Sequence, residues 1–202
     1  MKNVYVVAHT ESVHHTNGVV GGWFDTGLTD KGRAQAGAVA DRLVDLLGSE
    51  KPLVNSSDLL RARETAEVIA GRFRCTVNLT SDLRELSYGN AEGKPQGWLD
   101  ARFEPAPDHN RLDHRNISGA ETKREFITRV FSAVDEIISS VQQNHVLITH
   151  GYAMTFVVAR WIGMPLESAG FVNFRSSSGG ITHLQEDDLF RNRAVVFLKS
   201  TG

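Results

Sequence analysis

The sequence predicts an α/β fold, a three-layer α/β/α sandwich around a mostly parallel central sheet, built as one domain over residues 1–202. Three observations predict it. Short apolar runs alternate with helical patterns, which favours parallel strands covered on both faces. The chain has 202 residues, 41% hydrophobic and 23% charged, enough to bury a substantial single core. No repeat or low-complexity tract breaks the alternation.

The elements follow in order. Val4–Val7 is the first strand. "LTDKGRAQAGAVADRLVDLLG" is the first helix, with Thr29 as N-cap, Gly48 as stop, and Ala34, Ala38, Val39, Leu43 and Leu46 at helical spacing. "KPLVNSS" reads as the second strand, and "DLLRARETAEVIAGRF" as a helix with Leu59, Ala62, Ala66, Ile69 and Ala70 on one side. Thr76–Leu79 is the third strand. The stretch from Tyr88 to Gly119, rich in Gly, Pro, Asp and His, is expected to be a mobile lid or substrate-selecting insertion. "ETKREFITRVFSAVDEIISSVQQ" is the clearest amphipathic helix, "HVLIT" a fully apolar strand, and "HGYAMTFVVARWIG" another helix. Phe171–Leu198 breaks into two or three strand-like pieces around "SSSGG".

Charge and cysteine usage narrow the function classes. Lys plus Arg total 22 against 24 Asp plus Glu, so a net charge of -2 offers no general pull toward nucleic acid or an anionic membrane. Any anion binding must be local. The single Cys75 excludes an intramolecular disulfide. The start "MKNVYVVAHTES" breaks its apolar run too early for a signal peptide, and no apolar stretch approaches the roughly 20 residues that span a bilayer. A cytoplasmic location is the expectation, and an exposed sheet edge could pair two copies as a homodimer.

In parallel sheets ligands bind beyond the carboxyl ends of the strands. The first strand exits into His9, the second into Ser56, Ser57 and the helix bearing Arg61, and "HVLIT" into His150 and Gly151. A polar ring at the end of a buried strand must find partners or water, so packing alone explains two such histidines poorly. With Arg61 they suggest an anion site, to which a helix starting near Gly151 would add backbone N–H groups and its positive dipole end. The expected ligand is a small phosphorylated substrate or inorganic phosphate.

Five motifs in order, "VVAHTES", "DTGLTDKGRAQA", "SSDLLRARETAEVI", "LRELSYGNAEG" and "VLITHGYAM", resemble the histidine phosphatase superfamily, the phosphoglycerate mutase-like enzymes, from the first strand to about residue 155. The resemblance implies that His9 is a nucleophile forming a transient phosphohistidine. It implies that Arg61 and His150 clamp the phosphoryl oxygens, and that Glu85 protonates the leaving oxygen and then activates water. That double duty needs a Glu85 pKa raised toward neutrality. Glu92 and Glu121 fall in family-like motifs and imply supporting roles.

The chain departs from the family's R-H-G, carrying Ala8, His9 and Thr10. Losing one preorganised donor typically costs about 10²–10³ in rate. Three explanations are open: a neighbour supplies the charge, the protein binds without turnover, or the alanine was introduced to trap a complex. By position His14, His15 and Arg63 are the candidate replacements. His15 stands first, as a phosphate-binding residue, because it occupies the place of a pocket asparagine in many relatives.

Other readings stand beside these. Glu85 could sit in a solvated turn paired with Arg84, and His14, His15, His109 and His114 could be plain loop residues. His9, His14 and His15 lack the spacing of a helical metal motif and no cysteine pair accompanies them, so neither a metal nor another cofactor is expected. Retention of the acid Glu85 argues for a phosphatase over a phosphate-ester binding or regulatory protein. Lys94, Arg102, Arg111, Arg115 and Lys123, scattered among acids, argue against a mutase, which must hold a second anionic group. Trp23 and Phe24 could wall an organic leaving group, but beside glycines they are expected to pack on the core.

Overall fold

A computed structural model of the chain describes residues 1–200. Its sheet has six strands: β1 (Lys2–Ala8), β2 (Leu53–Ser57), β3 (Val77–Thr80), β4 (Asn144–Thr149), β5 (Ile181–Glu186) and β6 (Arg193–Ser200). Their order is β3-β2-β4-β1-β5-β6. The first four are parallel, with Val6 opposite Leu147 and Val54 opposite Val146, while β5 and β6 run antiparallel at one side. The sequence "VYVVA" is continuously apolar because β1 is covered on both faces. Val4, Val6 and Ala8 enter one apolar cluster, Tyr5 and Val7 the other.

The helices are α1 (Val13–Asn17), α2 (Asp30–Leu47), α3 (Leu60–Phe73), α4 (Gln96–Asp100), α5 (Lys123–Ser139), α6 (Ala153–Trp161) and α7 (Leu166–Ala169). Helices α2 and α3 cover one face of the sheet, and α5 and α6 the other, giving the expected three layers. Thr29 caps α2 by accepting from the Gly32 N–H, and Gly48 ends the helix with φ +62°. The buried stripe of α2 is Gly32, Ala36, Val39, Ala40, Leu43 and Leu47, so the expected Ala34 and Ala38 are exposed. The stripe has this phase because the first turn presses on the loop after β1: a Cβ on Gly32 would lie 1.9 Å from the Glu11 carbonyl oxygen. All five apolar positions expected on α3 are buried.

The 88–119 segment is partly helical, with α4 and two 3₁₀ turns, Gly89–Ala91 and Asp108–Asn110. Val20, Ala91, Leu99, Ile117 and Ala120 form a small core beneath it. Backbone bonds from Val20 to Lys94, Gly93 to Val20 and Gln96 to Gly18 stitch it to the loop after α1. It is thus a packed cap over the strand ends. No helix among the described residues is long and apolar enough to cross a membrane.

Candidate active site

The site gathers beyond the strand ends: His9 and His150 leave β1 and β4 directly, Arg61 comes from α3, Glu85 from the loop after the 3₁₀ turn Ser81–Leu83, and His14 and His15 from α1. His9 follows β1, and its Nδ1 lies 2.8 Å from the Thr10 carbonyl oxygen. A carbonyl only accepts, so Nδ1 carries the proton and Nε2 keeps its lone pair. Thr10 is fastened to α3: its N–H donates to Thr65 Oγ1 at 3.3 Å, and the Thr65 hydroxyl donates to the Arg61 carbonyl at 2.8 Å. The strand end and the arginine-bearing helix are therefore locked in register.

Arg61 is buried, at 1% exposure. Its Nη1 donates to the Phe24 carbonyl at 3.0 Å and its Nη2 to the Gly22 carbonyl at 2.7 Å, leaving Nε directed at His9 Nε2, 3.3 Å away. Gly22 adopts φ +58°, a conformation suited to glycine, in presenting that carbonyl. Burial lowers the guanidinium pKa to about 10, which leaves it cationic at neutral pH.

His150 follows β4, and its ring meets that of His9 edge-on at 5.0 Å. Its Nε2 is 2.9 Å from Ser57 Oγ at the end of β2. Its Nδ1 is buried and has no protein partner. Burial, reinforced by Arg61, holds both His9 and His150 well below the usual imidazole pKa, so both are neutral.

Glu85 is held at both oxygens: Oε1 accepts from the Leu86 N–H and Oε2 from the Tyr152 N–H, each at 2.9 Å. Burial nevertheless raises its pKa. Its backbone carbonyl accepts from Trp23 Nε1 at 2.8 Å and Arg129 Nη2 at 2.7 Å. Arg129 also binds the carbonyls of Asp82 and Arg84, and grips both oxygens of Glu121 at 2.7 and 2.8 Å. Glu92 Oε1 accepts from Ser87, Tyr88 and Trp23. Glu92 and Glu121 thus fix the loop that carries Glu85. Trp23, half-buried, packs against the guanidinium groups of Arg84 and Arg129, 4.9 and 5.7 Å from its ring, and Phe24 is exposed, so neither joins the core as expected.

The two adjacent histidines lie on α1, a five-residue helix ended by Gly18 at φ +63°. His15 stacks parallel to His9, at 5.4 Å and 11°. The Ser12 N–H donates to His15 Nδ1 at 3.5 Å, so the proton of the neutral ring sits on Nε2. His14 is buried, lies 3.0 Å from Ser12 Oγ, and has its pKa lowered by burial to about 3.

A cavity of about 320 Å³ is lined by His9, His15, Arg61, Glu85, His150 and Gly151, all the residues expected at the site. His14 and Tyr88 also line it, and burial and the Glu85 carboxylate push the Tyr88 phenol up to about 12. Arg63 and the helix after β4 depart from expectation. Arg63 is exposed and pairs with Glu67 at 3.3 Å, because it lies on the outer face of α3. His109 and His114, read as plain loop residues, do not line the cavity: His109 is exposed, and His114 Nε2 donates to the Glu104 carbonyl within the cap. Helix α6 begins at Ala153, and the Tyr152 N–H that precedes it is taken by Glu85 and not left for an anion. Ala8 is 3% exposed inside the cluster under α5 and α6 and does not line the cavity. Among the described residues no group of three or more His, Cys, Asp or Glu is arranged to hold a metal ion.

Sequence reasoning missed Arg129. Its one signal is a cation on α5 next to buried Val130 and two residues from buried Ile127.

Comparison with known proteins places this geometry. Residues 4–191 match the family model of the histidine phosphatase superfamily (branch 1). A protein of Erwinia tasmaniensis named "Probable phosphoglycerate mutase GpmB" is 32% identical over 181 residues, covering 88% of this chain and 83% of that protein. A protein of Hydrogenobacter thermophilus named "Putative phosphoserine phosphatase 2" is 30% identical over 188 residues, covering 91% of this chain and 89% of that one. The crystal structure of the alpha-ribazole phosphatase of Shigella flexneri superposes with a TM-score of 0.82 at 25% identity, covering 98% of this chain and 96% of that chain. With the match spanning nearly the whole sheet and every strand end that bears a site residue, the chain belongs to the histidine phosphatase superfamily.

Proposed function

We propose that the chain is a metal-independent phosphatase that hydrolyses a small phosphomonoester through His9. The observation that carries this reading is the tautomer of His9, with Nδ1–H bound to the Thr10 carbonyl and the Nε2 lone pair beside Arg61 on the cavity wall. Nε2 attacks phosphorus in line, the ester P–O bond breaks, and the leaving oxygen takes the proton of Glu85. Water then gives a proton to the Glu85 carboxylate as its oxygen attacks phosphorus. The P–N bond breaks, and phosphate and neutral His9 are released.

Three donors hold the phosphoryl oxygens. Arg61 brings a fixed positive charge. His150, with the Ser57 hydroxyl donating to its Nε2, carries its proton on the unpartnered Nδ1 and offers it there. His15 offers Nε2–H from a ring stacked on His9, and a dianion beside it favours its protonated form. His15 so supplies the charge missing at Ala8.

A second reading, a phosphate-ester binding protein with impaired turnover, is favoured by Ala8 alone. The test is phosphate release from a phosphomonoester panel in chelator, with acid-quenched trapping of a phosphorylated intermediate, for this chain and His9→Ala. Release and a labelled intermediate, both lost in His9→Ala, support the enzyme. Phosphate binding without release supports the second reading. Conversion to an isomeric ester without net phosphate would identify a mutase.

A further inference from the structure

We propose that a second pocket, which shares Tyr88 with the His9 cavity, receives the leaving group, and that Arg111 and Lys123 there recognise a carboxylate on it. This rests on reading the His9 cavity as the phosphoryl site and adds a substrate class to it.

The pocket has a volume of about 320 Å³, and Tyr88 lines both it and the His9 cavity. Leu86 and Tyr152, whose N–H groups hold the Glu85 carboxylate, form part of its wall. An acid that protonates a leaving oxygen has the rest of the leaving group on its own side, and the pocket walled by Leu86 and Tyr152, the two residues whose N–H groups hold Glu85, is the space next to it. Phe103 and Ile117 from the cap make the wall apolar.

Two cations interrupt that apolar wall. Arg111 Nε and Lys123 Nζ both donate to the Gly170 carbonyl, each at 3.2 Å, so two positive charges share one neutral acceptor. Neither has an ion-pair partner among the described residues. The carboxylate on the same wall, Glu121, is gripped at both oxygens by Arg129, and Asp113, two residues from Arg111, pairs with Arg124 at 2.7 Å. The guanidinium lies 5.0 Å over the Phe171 ring with its two Nη groups unspent. Burial and the neighbouring Arg111 lower the Lys123 pKa, a repulsion that a bound carboxylate relieves. In sequence these cations read as scattered; Gly170, between α7 and Phe171, draws them together.

The test compares 4-carboxyphenyl phosphate with its neutral methyl ester as substrates, and 4-carboxybenzylphosphonate with its methyl ester as calorimetric ligands. The chain is expected to favour the carboxylate by about tenfold or more in kcat/KM and in Kd, the size of one charge-assisted hydrogen bond. In Arg111→Gln and Lys123→Met the ratio falls toward one, whereas Lys123→Arg retains it. A ratio near one in the parent chain, or one that survives both substitutions, overturns the proposal. Equal turnover of both esters would leave the phosphatase reading standing without the subsite. Preferential phosphonate binding with no turnover of either ester would leave the subsite standing without the phosphatase.

Discussion

Arg61 Nε stands 3.3 Å from Nε2 of His9, while Nδ1 of the same ring faces the Thr10 carbonyl at 2.8 Å. One nitrogen is thereby committed as a donor, and the other is kept unprotonated by a neighbouring cation. Burial is the larger cause of the depressed His9 pKa and Arg61 the second.

The pH dependence follows with its sign. His9 must be unprotonated to attack, and its lowered pKa puts the acid limb of kcat/KM well below pH 6.5. Glu85 must be protonated to serve the leaving oxygen, and its raised pKa puts the alkaline limb above 4.5. Activity is therefore expected to persist well below pH 6.5 and to be lost on the alkaline side as Glu85 gives up its proton. In Arg61→Gln, kcat/KM falls about 10²–10³ and the His9 titration, followed by NMR, moves up toward the usual imidazole value. A His9 titration that stays put would leave burial as the cause and remove Arg61.

Glu85→Gln keeps the size of the side chain and removes its proton. For a phosphate ester of a simple alcohol, whose leaving oxygen needs that proton, kcat is expected to drop about 10²–10⁴. For 4-nitrophenyl phosphate, whose leaving group departs as a stable anion, the drop is much smaller. Equal losses on both esters would place Glu85 in a structural role only.

Much of this site was legible in the sequence because parallel strands buried on both faces announce themselves as apolar runs, and the polar residue that ends each run is conspicuous. His9 after "VYVVA" and His150 after "HVLIT" are legible that way, and Glu85 by its motif. What stayed hidden depends on contacts the linear pattern does not carry. Helix α1 has five residues, too few to show a period, so His15 was visible only as a position in a motif. The phase of the α2 stripe is not legible, because its reference point is a glycine pressed on Glu11 and not an apolar residue. Arg129 acts on carbonyls 44 to 47 residues away.

His15 offers a measurable replacement for the charge absent at Ala8. Burial and Arg61 lower its pKa in the free protein, so it enters neutral pH without a proton to spare beyond Nε2–H. Phosphate favours its charged form, and binding near pH 6 is expected to take up a proton, read by calorimetry in buffers of different ionisation enthalpy. In His15→Ala that uptake disappears and phosphate Kd rises roughly 10- to 100-fold. Unchanged affinity and uptake would assign the role elsewhere, with His14 next in line.

Two glycine substitutions on α2 separate packing from backbone freedom. Alanine favours a helix interior over glycine by about 1 kcal/mol, so on propensity alone both Gly32→Ala and Gly37→Ala should stabilise the protein. At Gly37 a Cβ meets nothing within 4 Å, and a gain of about 0.5–1 kcal/mol is expected. At Gly32 it would lie 1.9 Å from the Glu11 carbonyl oxygen and 2.9 Å from the Glu11 carbonyl carbon, backbone atoms that no rotamer change can move aside. Either α2 or the loop after His9 must shift, at a cost of about 1–3 kcal/mol, or roughly 2–4 °C in Tm for each kcal/mol. Because Glu11 stands two residues from His9, Gly32→Ala should also lower kcat/KM, while Gly37→Ala leaves it unchanged. A pair that shifts in the same direction in thermal unfolding would show that the strand-exit loop yields to the helix and does not set its position.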